Sequence, residues 1–381
     1  MDPTNDRQAV VSVQRLRELY PVALAFILHH CVLAIACIGL PYSVFHPFDF
    51  VRSDSALYLD IAKNGYELFR CHERFEAYAA TDMTWCGNAG WMPLYGWILR
   101  PFIYLGVDQY LAAFCLSRLC YFIVLFFIYR LSASLSPRAR VAVLMTAAVF
   151  PSAIYYSAAF PISLMMMMML GSLYFWQKKL TIPAMICGFL IPLSYSTGFV
   201  NIAVWAIFSA VVCLRQREAF VPAVLVTCSA LVGYGVFFLV QHLTTGHWNA
   251  FFLIQEKYGH GIHDIFQPLG DMVKSIWLSG INHNWQNIQS LMFIALIPVV
   301  LVASLKEKNN AHVFVNICFV LFAAFPVLIG SGQLAQYRAE SLLLPVVLFL
   351  GQRKKLLLVM IPVFLYLTLS CTIEFFMGQL S

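Results

Sequence analysis

Three observations in the sequence predict an all-α, polytopic membrane protein. Of its 381 residues, 61% are hydrophobic and only 11% charged, less than half the charged share of an ordinary soluble domain. A mean hydropathy of +0.77 leaves too little polar surface to clothe a water-soluble body of this size. Apolar runs of about 17 to 23 residues recur from Tyr20 to Phe376, and a helix of about 20 residues spans the hydrocarbon slab of a bilayer. A soluble enzyme and a nucleic-acid binder are thereby excluded. So is an outer-membrane barrel, whose strands alternate in polarity and are only about ten residues long.

The elements follow in order. A stretch of twenty residues rich in polar side chains precedes the first helix, and no small-residue cleavage site follows it, so residues 21–41 are expected to stay as a helix rather than be removed. Further crossings are expected over 109–130, 141–158, 161–177, 180–196, 197–214, 220–243, 286–305, 311–330, 340–352 and 356–377, about eleven in all. With the N-terminus in the cytoplasm, the inner segments hold 15 basic residues, from Arg7 to Lys355, against five acids. The outer side then holds nine basic residues against 13 acids, so the balance is +10 inside and −4 outside. That asymmetry is the positive-inside rule, and moving the count by one helix would scramble it. The chain reads as a single transmembrane domain over 1–381, and no internal repeat is visible, which weighs against transporters built from paired halves.

Two polar stretches are too long to be turns, and both fall outside: 42–108 and 244–285, with a shorter outer turn around 330–340. The first opens with Arg52-Ser53-Asp54-Ser55-Ala56-Leu57-Tyr58-Leu59-Asp60-Ile61-Ala62-Lys63-Asn64-Gly65-Tyr66. Leu57, Ile61 and Ala62 share one face of an amphipathic helix that starts near Ser53 or Asp54 and stops at Gly65. Asp54 is thus either a helix cap or a carboxylate free for chemistry. Gly90-Trp91-Met92-Pro93-Leu94-Tyr95-Gly96-Trp97 suits a helix lying in the membrane interface. Nine of the eleven cysteines sit in or beside apolar helices, whereas Cys71 and Cys86 share the outer loop. In an oxidising compartment these two are candidates for a disulfide worth on the order of 3 kcal/mol.

Taken together, these segments resemble the GT-C integral-membrane mannosyltransferases. The closest likeness is to the group containing the second mannosyltransferase of GPI-anchor assembly (PIG-V-like) and its prokaryotic relatives. The likeness rests on Asp54 followed by Tyr58-x-x-Ile61-Ala62-x-x-Gly65-Tyr66 and then Pro93-Leu94-Tyr95. Later segments fall in the family's order: Phe150-Pro151 with Phe160 to Leu164, then Ser196-Thr197-Gly198-Phe199-Val200-Asn201. After them come Thr245-Gly246 with Ala250-Phe251, Gln255 and Tyr258-Gly259, and finally Arg338 seven residues before Pro345. The chain departs from the family at Ser53 (a Trp there), Ile162 (a Glu) and Tyr195 (an Arg).

The resemblance implies an inverting glycosyltransferase. It would move a hexose, mannose by family, from a polyprenyl- or dolichyl-phosphate donor to a lipid-linked or glycan acceptor on the periplasmic or lumenal face. The membrane would be a prokaryotic inner membrane or the endoplasmic reticulum. Such a displacement needs a base near the acceptor hydroxyl and cationic groups on the departing phosphate. Asp54 matches the family's base. Arg338 is the first choice for the phosphate, with Lys257, His260 and His263 behind it. Gln255 and Tyr258 are candidates to line the acceptor site, and Trp91 and Tyr95 to stack on sugar or isoprenoid. Asp60, about 1.7 turns from Asp54, points elsewhere and reads as solvated. His260, His263 and Asp264 either belong to a solvated loop or hold a metal, and no fourth ligand is evident, so no cofactor is expected. No nucleic acid enters as a partner; membrane lipid does. Within the first helix, His29 and His30 read as packed or neutrally hydrogen-bonded, and Arg118 needs a carboxylate or an outer vestibule. A non-catalytic relative of the family and a lipid transporter are the competing readings.

Overall fold

The structure is a computed structural model that describes residues 3–258, 266–280, 284–328 and 336–380. It is a helical bundle with one small hairpin, and it forms an integral, multi-pass membrane protein. Among the described residues, seven helices have the length and apolarity to cross a bilayer: Glu18–Ala36 within α1 (Pro3–Ala36), Gln109–Ser134 carrying α4 (Gln109–Leu131), Ser196–Arg215 carrying α8 (Val200–Arg215), and α9 (Arg217–Thr245). The others are α12 (Trp285–Ser304), α13 (Asn310–Leu328) and α16 (Lys354–Phe376).

The remaining four of the eleven expected crossings are shorter, and proline explains two of them. The run at 141–158 divides: α5 (Pro137–Ala148) stops before Phe150-Pro151, Ser152 takes a left-handed φ of 60°, and a 3-10 turn follows at Ala153–Tyr156. Proline lacks an N–H and disfavours helical backbone before it, which favours a break there, although α12, α13 and α16 run on through Pro298, Pro326 and Pro362. The run at 340–352 likewise breaks, into a 3-10 turn at Ser341–Leu343, Pro345 and the six residues of α15 (Val346–Gly351). α6 (Ile162–Gln177) has 16 residues and α7 (Thr181–Ser194) has 14, or about 24 and 21 Å of rise. Both are apolar but shorter than a full span.

α7 and α9 approach until backbone meets backbone, and two glycines permit it. A Cβ added at Gly233 would lie 2.1 Å from the Phe189 carbonyl oxygen, and one at Gly188 would lie 2.8 Å from both Ser229 and Val226 side chains. This is the small-residue contact by which helices pack in lipid, where no hydrophobic drive separates helix from tail.

The first long polar stretch folds into a packed unit of its own. There α2 (Ser55–Lys63) and α3 (Leu94–Tyr104) pack together, joined by a hairpin of β1 (Leu68–Arg70) and β2 (Trp85–Gly87) in antiparallel register Phe69↔Cys86. Cys71 and Cys86 are joined by a disulfide beside this pair. Asp60 is not merely solvated: its two oxygens accept from Asn64 and Asn88 Nδ2, each at 2.6 Å, tying the end of α2 to the segment after β2. α10 (Ala250–Glu256), α11 (Phe266–Ser279) and α14 (Gln336–Glu340) complete the described helices.

Two buried polar side chains in the spans, Arg118 and His29, find partners other than a carboxylate. Arg118 donates from Nε to His30 Nε2 at 3.0 Å and from its Nη atoms to the carbonyls of Val44 (3.1 Å) and Ser157 (3.3 Å). Its guanidinium also lies 3.3 Å from the centroid of the Phe114 ring. His29 Nε2 meets Ser157 Oγ at 2.8 Å and its Nδ1 meets the Ala148 carbonyl. The loop carbonyls supply what the sequence suggested a carboxylate would, and the rings bury the rest.

Candidate active site

Asp54 sits immediately before α2, where a cap residue belongs, yet its carboxylate makes no capping bond to the helix. Its backbone is in the right-handed helical region (φ −63°, ψ −9°), whereas a capping aspartate takes extended angles that swing its oxygen onto the first turn. Ser55 does part of the local work instead, its Oγ accepting from the Arg52 N–H at 3.2 Å. Ser53, where the family has Trp, takes a left-handed φ of 47° and donates from Oγ to the Leu380 carbonyl. Arg52 donates to the Phe376 carbonyl. The segment that aims Asp54 is therefore tied to the end of α16.

The freed carboxylate faces Arg338. Asp54 Oδ2 lies 2.7 Å from Arg338 Nη1, with the aspartate 30% and the arginine 13% exposed. A ring of aromatic groups surrounds the pair. Phe160 lies under the guanidinium at 5.2 Å, and Tyr195, the residue standing where the family has Arg, is hydrogen-bonded to it. Tyr58, one turn along α2 from Asp54, is buried within the field of both charges. Tyr155 stacks at a tilt on Tyr337 at 6.1 Å, and Tyr337 packs against Trp285 at 5.9 Å. Burial works against the Arg338 charge. The Tyr195 hydroxyl and Asp54 more than offset it, and they hold the guanidinium above its ordinary pKa. Tyr58 and Tyr195 are both pushed up by burial first, so each stands as a neutral O–H donor. A carboxylate, a fixed cation and neutral hydroxyls held this close together can accept a proton and stabilise an anion side by side.

A second buried acid anchors the helix that carries the arginine. Glu340 accepts from Gln289 Nε2 at 2.7 Å and from Ser290 Oγ at 2.5 Å, fastening α14 to α12. Burial raises its pKa to about 7, against the pull of those donors. Glu374 accepts from Trp285 Nε1 and Gln286 Nε2, closing the same wall from α16.

No family model matches the chain, and no curated protein is significantly similar to it. Among solved structures, it is similar to ArnT from Cupriavidus metallidurans bound to undecaprenyl phosphate, with a TM-score of 0.49 and 15% sequence identity. The alignment covers 86% of this chain and 59% of that one, so the chain spans less than two thirds of its neighbour's length.

The other residues singled out in the sequence fall at different depths. Tyr258 lies within the field of Asp54, beside Trp91, whose ring meets it edge-on at 6.3 Å. Gln255 donates to the Gly90 carbonyl at 3.0 Å, so it braces the loop that carries Trp91. Tyr95 does not reach an opening: it is fully buried, its hydroxyl is bonded to Ser117 Oγ at 2.8 Å, and its ring abuts Tyr58. Its ring backs that of Tyr58. Lys257 is drawn to the disulfide instead of to Arg338, its Nζ lying 3.3 Å from Cys86 Sγ and 5.4 Å from the Tyr78 ring. His260 and His263 lie outside the described residues. Among those described, no three His, Cys, Asp or Glu side chains converge to hold a metal ion.

Sequence reasoning missed Tyr58, Tyr155 and Glu340. Tyr58 was within reach, because a residue four after Asp54 shares its helix face. Nothing local marks the other two.

Proposed function

We propose that this chain is a membrane glycosyltransferase of the GT-C type that transfers a hexose, mannose by resemblance, from a polyprenyl- or dolichyl-phosphate donor to a lipid-linked or glycan acceptor. The observation that carries the reading is the Asp54–Arg338 pair. Asp54 and Arg338, the candidate base and phosphate ligand, lie 284 residues apart in sequence and meet at 2.7 Å, and the Asp54 side chain makes no capping bond.

The reaction is one displacement with inversion. The acceptor hydroxyl oxygen attacks the anomeric carbon and gives its proton to Asp54. The bond from that carbon to the phosphate oxygen breaks, and its electron pair leaves on the lipid phosphate. Arg338 and the Tyr195 hydroxyl receive the negative charge that develops there. For this, Arg338 must exchange part of its hold on Asp54 for the phosphate. Its planar fork of donors lets it keep one while taking the other. A site facing the periplasm or lumen is supported by the Cys71–Cys86 bridge, which suits an oxidising compartment, and by the basic residues of the opposite corners.

The test is incubation of the purified protein in lipid with synthetic polyprenyl-phosphate mannose labelled in the sugar, followed by extraction of lipid and glycan products. Label appearing in a new product with release of polyprenyl phosphate supports the reading. If only another lipid-linked hexose reacts, the mannose assignment falls and the enzyme class stands. Failure with every lipid-phosphate hexose, by protein that is folded, overturns the class.

A further inference from the structure

At the opposite end of the bundle from Asp54, four helix connections surround a cavity of about 990 Å³. Its lining includes Arg130, Lys178, Lys179, Arg217 and Lys308, opposed by Glu218 alone: five cations to one acid. Arg130 is paired with Glu18. Among the described residues, no carboxylate pairs with the other four cations. Sorting of positive charge to the cytoplasmic side accounts for basic residues in these corners, but not for their convergence on one cavity.

Two further features point the same way. α7 and α9 begin at the cavity, at Thr181 and Arg217, and neither start has a side-chain cap, so the positive ends of two helices open onto it. The walls behind the cations are apolar or aromatic, with Leu131, Tyr174, Trp176 and Pro222. Lys178 rides 5.9 Å over the Tyr174 ring. Lys179 holds a left-handed φ of 58°, the conformation that usually selects glycine at a helix end, so a cation stands where the backbone favours none.

We infer that this cavity binds the phosphate headgroup of an anionic membrane lipid. A phosphate needs cations and free N–H groups, and a lipid adds an acyl portion that needs an apolar wall at the membrane surface. Basic pockets between helices on the cytoplasmic side are where such headgroups bind. The site is separate from the transferase site and does not depend on that reading.

The test uses the full chain in nanodiscs of phosphatidylcholine with about one third phosphatidylglycerol, followed by detergent extraction and native mass spectrometry. The wild type is expected to keep one phosphatidylglycerol molecule and release phosphatidylcholine. Each cation near a membrane surface is worth about fivefold in binding. The variant K178Q/K179Q/R217Q/K308Q is therefore expected to weaken retention by at least about a hundredfold, and more salt to weaken it in the wild type. A matched melting profile shows that the variant is folded; if it is not, the pair K178Q/R217Q is used, with an expected loss of about 25-fold. Competition by millimolar inorganic phosphate would assign recognition to the phosphate group. No competition, with phosphatidylglycerol retained, would assign it to the whole lipid. Equal retention of the two lipids by the wild type, or unchanged retention in a folded variant, overturns the inference.

Discussion

Neutralising the two partners of the central ion pair separates its structural from its chemical role. Asp54→Asn keeps the side chain's size but leaves Arg338, 13% exposed, without its counter-charge. Removing one partner of a fully buried pair costs about 3–5 kcal/mol, and an exposed pair is worth under about 1 kcal/mol. With Asp54 30% exposed, the expected loss is about 2 kcal/mol, or about 4 °C in the thermal midpoint. Arg338→Gln costs less, since the carboxylate left behind reaches water. In the double variant no charge is stranded, so the midpoint recovers most of the Asp54→Asn loss, a coupling of about 1.5 kcal/mol. On the proposed roles transfer is not expected to recover, because base and phosphate ligand would both be gone. The assay is a double-mutant cycle read in parallel by thermal unfolding in one detergent and by product formation. Strictly additive midpoints would refute the pairing. Recovery of transfer in the double variant would refute the chemical roles.

Two other outcomes follow from the same geometry. Reducing the Cys71–Cys86 bridge, or replacing both cysteines with serine, frees a loop that the bond closes across 15 residues, a loss of about 3 kcal/mol on the loop-entropy account; amide exchange over residues 64–90 is expected to rise while the spans stay protected. Glu340, buried with a pKa raised to about 7, favours the folded state fully below the ordinary glutamate range and loses that contribution as pH rises through 7. The thermal midpoint is therefore expected to fall between pH 5 and 8 by the equivalent of up to about 3 kcal/mol, and Glu340→Gln to flatten that slope.

The membrane class and the spans could be read from hydropathy because lipid tolerates little else than an apolar helix whose backbone bonds are satisfied within it. The same signal misjudged 141–158 and 340–352. Their apolarity continues through Pro151 and Pro345, while the α-helical backbone does not. At the site, Asp54 and Arg338 carried local marks: a polar residue at a helix start and an arginine in an outer turn. Tyr155 and Glu340 carried none, since their roles depend on α12 and α14 meeting the segment after α5, which no spacing reveals. Lys257 and Tyr95 show the converse. Both have suitable chemistry in suitable segments, but contacts to Cys86 and Ser117 take them elsewhere.

The most direct measurement is the transfer of labelled mannose from synthetic polyprenyl-phosphate mannose into membrane lipid by wild type and Asp54→Asn, in preparations matched for folding. The account predicts transfer by the wild type and a loss of at least about a hundredfold in the variant, the low end of a general base's contribution. Equal transfer by both would contradict it.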